Sequence, residues 1–176
     1  MLRYILTIFL LSPVTALSAE PSSQLWAYLS GADVVSASEI FEQASRERPK
    51  EQIVDFEVEL ENEQLSFEVS LYNSTTKQIT ELSYDDAGVL VGTEFELDEW
   101  RGGDQLLAIK TLLSHPKSID ELISDLSNNR PGELIAANIG SNLSIPFLWV
   151  TLLTVEGKQS YAIDLKSNTA IPILQM

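Results

Sequence analysis

The stretch IVDFEVELENEQLSFEVSLY, residues 53–72, decides the architecture. Acids and apolar residues alternate along it: Asp55, Glu57, Glu59 and Glu61 fall to one side, Phe56, Val58 and Leu60 to the other. A period of two belongs to a strand with one wet and one packed face, because successive side chains of extended backbone point oppositely. Leu65–Tyr72 alternates in the same way, and the polar ENEQ between the two runs reads as a turn. The pattern predicts an antiparallel hairpin with one solvated face.

Working outward, the same period recurs at Gln78–Tyr84 and Val89–Leu97, set apart by NSTTK and DDAG. It returns at Leu134–Leu143, Phe147–Val155, Lys158–Asp164 and Ala170–Leu174, with Glu156-Gly157 as a tight hairpin turn. Ahead of each set of strands stands an S-x-x-E motif, Ser36 to Glu39 and Ser118 to Glu121. There the serine caps the third amide and the glutamate reaches back, which starts a helix. Ile40, Phe41 and Ala44, and then Ile119, Leu122, Ile123 and Leu126, recur at helical spacing, so each helix buries one stripe. Pro49 and Pro131 stop them. A shorter apolar segment precedes each capped helix, Leu25–Leu29 closed by Gly31 and Leu106–Leu113 closed by Pro116.

Laid over one another, residues 24–53 and 105–135 match at Gln24/Gln105, Leu25/Leu106 and Ala27/Ala108, and, one residue on in offset, at Ser36/Ser118, Glu39/Glu121, Arg48/Arg130 and Pro49/Pro131. Such self-similarity is that of a tandem duplication. The expected fold class is therefore α+β, with two tandem repeats, each a helix pair followed by a four-stranded antiparallel meander. The first unit spans 24–100, the second 105–176, and Arg101 to Asp104 forms the linker.

The opening MLRYILTIFLLSPVTALSAE has the order of a secretory signal peptide, with Arg3, an apolar run and then small residues. Cleavage after Ala19 is expected, leaving a periplasmic or secreted chain. The apolar run falls short of the ~20 residues that a spanning helix needs. The chain has no cysteine, hence no disulfide and no lipid-attachment thiol, and the mature domain must hold together by packing. The formal net charge of −15 excludes an electrostatic footprint for nucleic acid or anionic lipid. That charge is lopsided: residues 24–100 carry 18 acids against 4 bases, residues 101–176 carry 7 against 6.

Catalytic constellations are missing from the sequence. One histidine, His115, lies in a loop, and with no cysteine the zinc sites and Cys–His pairs drop out. No nucleophile elbow, phosphate loop or dinucleotide fingerprint occurs. No catalytic residue, cofactor or metal is expected, and the chain is read as a non-enzyme. The row Asp55, Glu57, Glu59 and Glu61 has two readings. It is a solvated strand face, or it is an acidic patch for a basic partner; same-face neighbours ~6.8 Å apart on a straight strand suit a metal ion poorly. The second unit's first strand, LIAANIGSNL, has no acid, so the fold itself does not require the carboxylates. Among the tryptophans, Trp26 suits the core and Trp100 the junction between units. Trp149 alternates with Leu148 and Val150, faces away from them, and is the aromatic expected on a binding surface.

With helix, LSFEVSLY and LSYDDAGVLVG in sequence, each unit resembles the PepSY domain family. Asp85-Asp86-Ala87-Gly88-Val89-Leu90 looks like a shortened form of that family's Asp-Ala-x-Thr-Gly turn, and Asp164-Leu165-Lys166-Ser167-Asn168-Thr169 like a degenerate one. The tandem plan is also similar to that of the β-lactamase inhibitory proteins, without their disulfides. These resemblances imply a binding, inhibitory or folding-assistant role and no catalytic residues. The expected function is an exported, non-catalytic protein-binding module that modulates or inhibits a peptidase or another envelope protein. The alternative is a small-ligand or cation-binding envelope sensor using the first unit's acids and Asp85-Asp86. No nucleic-acid partner is expected, and no membrane association after signal cleavage.

Overall fold

The computed structural model describes residues 21–31, 33–97 and 103–173. The expected signal peptide, residues 1–19, and Trp100 lie outside the described residues. Two helices, α1 (Pro21–Leu29) and α2 (Ala37–Glu47), precede strands β1 (Gln52–Glu61), β2 (Gln64–Asn73), β3 (Gln78–Asp85) and β4 (Leu90–Leu97). Helices α3 (Gly103–Leu113) and α4 (Ile119–Ser127) then precede β5 (Glu133–Asn142), β6 (Ile145–Thr154), β7 (Gly157–Asp164) and β8 (Thr169–Ile173).

The expectation of two repeats, each closing its own four-stranded meander, is corrected by the strand order. All eight strands form one antiparallel sheet, β4-β3-β2-β1-β5-β6-β7-β8. The join is β1 against β5, where Asp55, Phe56 and Glu57 face Asn138, Ala137 and Ala136. The physical reason is the edge. Two separate meanders would leave β1 and β5 with unpaired amides and carbonyls beside apolar side chains, and pairing Asp55 to Glu57 with Ala136 to Asn138 satisfies the middle of both edges. The helices do not keep to separate units either. While α2 packs on β1 and β2, and α3 on β5 and β6, α1 reaches across to β6 and β7. Gly103 and Asp104, expected in a linker, already belong to α3.

Both S-x-x-E motifs form complete capping boxes. Ser36 and Ser118 accept from the amides of Glu39 and Glu121, whose carboxylates take the serine amides at 3.0 and 2.8 Å. Helix α2 ends at the Arg48 cap ahead of Pro49, whereas α4 stops at Ser127 with Asn128 as its cap, three residues short of Pro131. One continuous core lies between the helices and one sheet face. It is built from Ile40, Phe41 and Ala44 of α2, Ala108, Ile109 and Leu112 of α3, the α4 stripe, and alternate residues of β1–β3 and β5–β7. Trp26 packs half-buried against it. His115 ties the α3–α4 loop to the β7–β8 turn: Nδ1 lies 2.9 Å from the Lys117 carbonyl and 3.0 Å from its amide, and Nε2 lies 2.7 Å from Oδ1 of Asn168.

Candidate binding face

With the helices on one side, the opposite side of the sheet is the candidate surface. Directly opposed residues of antiparallel strands share a face, so the register fixes what that surface presents. One row crosses all eight strands: Glu94, Glu81, Ser70, Asp55, Asn138, Trp149, Ala162 and Ile171. The next row runs Gly92, Ser83, Glu68, Glu57, Ala136, Thr151, Ser160 and Ile173. From β4 to β1 both rows are acidic or small and polar, and these four strands contain no lysine or arginine. From β5 to β8 they are neutral and increasingly apolar.

The ladder expected from the sequence is thus one column of a wider patch. Asp55 stands at the join, opposite Ser70 on one side and Asn138 on the other. Exposed Glu57 faces Glu68 directly, Glu59 faces Ser66, and Glu61 closes the strand beside the hairpin turn. Glu59 and Glu61 also line a shallow hollow of about 550 Å³ with Ser66, Asp85, Asp86 and Val91. The one-strand reading missed Glu68, Glu81 and Glu94, although each occupies an alternating polar position of its own strand. Glu68 shows how closely they gather. Partial burial pushes its carboxyl above the usual range, and Glu81, Glu59, Glu57 and Glu94 push it further. Among the described residues no group of three histidine, aspartate or glutamate side chains could hold a metal ion.

Trp149 lies where its alternation places it. Leu148 and Val150 are buried, whereas Trp149 is half-buried on the helix-free face. Its indole covers Gly140 of β5, where an added Cβ would stand 3.3 Å from Nε1. Phe147, half-buried on the same face, meets it with ring centroids 5.5 Å apart. Two strand spacings, about 10 Å, separate the Trp149 and Asp55 positions along their row. The acidic ladder and the Trp149 indole therefore share one face. Ile171, 51% exposed on β8, extends the apolar half, and it lacked any sequence signal beyond its alternation.

The turns that begin at Asp85 and Asp164 are both held by the aspartate side chain. Oδ1 of Asp85 accepts from the amides of Ala87 and Val89 at 3.1 and 2.8 Å, and Gly88 takes φ +78°. Oδ1 of Asp164 accepts from Lys166 and Ser167 at 2.8 and 3.4 Å, and Asn168 takes φ +56°. The Lys166 amide holds the Asp164 carboxyl below its usual range. Among the described residues no helix is long and apolar enough to cross a membrane.

No protein-family model and no curated protein matches the chain. Among solved structures it is similar to a candidate lipoprotein of Clostridium difficile 630, with a TM-score of 0.47 and 11% identity, over 81% of this chain and 94% of that one.

Proposed function

We propose that this chain is an exported, non-catalytic protein-binding module whose helix-free sheet face docks a partner with a basic surface. The observation that carries the reading is the row from Glu94 to Ile171, acidic or small and polar over four strands, then neutral and increasingly apolar, with Trp149, over the next four. Burial first, and then four neighbouring carboxylates, raise the pKa of Glu68, and such a cluster gains when a cationic surface covers it. Phe147 and Trp149 supply rigid contact area of the kind that dominates affinity. Export rests on the signal-peptide order of residues 1–19, and the PepSY likeness of LSYDDAGVLVG adds a peptidase or another envelope protein as the class of partner. The rival, a sensor collecting a cation at Asp85-Asp86, has less to draw on, because Oδ1 of Asp85 already accepts two turn amides.

Affinity capture from envelope extract tests the reading. The wild-type protein should retain a basic protein that elutes with salt. A variant with Glu57, Glu59, Glu68 and Glu81 changed to Gln should lose it while melting no lower than wild type, and Trp149→Ala should lose it while staying folded. Equal capture by all three proteins would sink the proposal.

A further inference from the structure

An open sheet ends in two edge strands, each leaving alternate amides and carbonyls without a ladder partner. Here the edges are β4 and β8, and they are unequal. Strand β8 has five residues and contains Pro172, which has no amide to offer. Strand β4 has eight residues with neither proline nor lysine, and its register is regular from Gly92 to Leu97 against Ser83 to Gln78. Among the described residues no strand pairs with its outer side. It also carries exposed apolar side chains, Val91 at 65% and Phe95 at 60%. By register Phe95 lies on the helix side with the Arg48 guanidinium 5.1 Å from its ring, and Glu94 lies on the open face beside Glu81.

We propose that β4 accepts an extended basic segment of the partner as a ninth strand. The main chain of such a segment would satisfy the outer amides and carbonyls of β4, and its alternate side chains would supply specificity. Residues on the open side meet Glu94 and then Glu81, which selects lysine or arginine. Residues on the helix side meet Phe95 and Thr93, which selects apolar or small groups. A second copy of this chain fits poorly, because β4 laid against β4 brings the two acidic halves together and like charges across strands oppose pairing. The inference rests on the protein-binding reading but uses the sheet edge, so the two can fail separately.

The test is amide hydrogen exchange by NMR on the whole protein with the peptide acetyl-KVKVKVK-amide, and acetyl-EVEVEVE-amide as control, each at about 1 mM. Alternate amides between Gly92 and Leu97 should slow by roughly tenfold or more with the lysine peptide and stay unchanged with the glutamate peptide. Neighbouring strand residues point their amides to opposite sides, so of Thr93→Pro and Glu94→Pro one removes an outward donor and leaves the β3 ladder intact. The variant that keeps the wild-type melting temperature should abolish the slowing, whereas Trp149→Ala should preserve it. No slowing, equal slowing with both peptides, or slowing confined to β8 overturns the ninth strand. Protection of β4 in the free protein that grows with protein concentration also overturns it, by giving the edge to a second copy. If capture depends on the open face and β4 stays unprotected, the edge proposal alone falls. If β4 responds to the lysine peptide and capture ignores the face variants, the face reading falls.

Discussion

Phe56 stands next to the join of the sheet, 1% exposed, and faces Ala137 across it. Its ring meets Phe41 of α2 edge-on at 4.9 Å and stacks with Phe67 of β2 at 6.3 Å. Truncating a buried phenylalanine to alanine costs about 3–5 kcal/mol in lost transfer energy and residual cavity. Ring pairs of this kind add about 0.5–1.5 kcal/mol beyond area, so Phe56→Ala belongs near 4 kcal/mol. With a urea slope of about 2 kcal/mol per molar, the midpoint should fall by roughly 2 M. The loss should be felt by the whole molecule, because one core and one sheet contain both sets of strands. The assay is urea unfolding read by far-ultraviolet circular dichroism and by Trp149 fluorescence in a Trp26→Phe/Trp100→Phe background. The two curves should superimpose in the parent and move together in Phe56→Ala. Two steps by circular dichroism, with the Trp149 midpoint unmoved, would rule out a single cooperative core and restore two independently folding units.

The capping boxes give a second prediction: Ser36→Ala and Ser118→Ala should each cost about 1 kcal/mol, and the double variant about the sum, because the caps stand on different helices. Thermal melts of the single and double variants check it. A third concerns Glu68, whose folded-state pKa is raised by burial first and by four carboxylates after it. The folded protein then binds this proton more tightly than the unfolded chain does, so stability falls as pH climbs from the ordinary value of 4.5 through the raised one. Glu68→Gln should melt higher than wild type at pH 7, and the gain should vanish below the ordinary value; equal melting temperatures at pH 7 would contradict the raised pKa that burial and its four neighbours impose.

Local structure was largely legible in the residues. Capping boxes announced α2 and α4, and alternation placed the strands to within a residue or two, because caps and periods act through neighbours in the chain. The early end of α4 was less legible, since Asn128 caps it before Pro131 has to stop it. What escaped was carried by distant pairing. Nothing local in VDFEV or IAANI says that Phe56 will face Ala137, and that contact turns two meanders into one sheet. The reach of α1 onto β6 and β7 is of the same kind. The carboxylate ladder was visible along β1, but Glu68, Glu81 and Glu94 join it only through inter-strand register. Trp149 was legible because its burial follows from alternation alone.

Site-specific photocrosslinking in the native cell reads out which face of the sheet meets a partner. A benzophenone side chain would replace Glu57 or Phe147 on the helix-free face, and exposed Glu42 of α2 or Ser124 of α4 on the other side. Docking on the helix-free face predicts one protein adduct, shared by the Glu57 and Phe147 positions and absent at Glu42 and Ser124. An adduct formed only from the helix positions would contradict it.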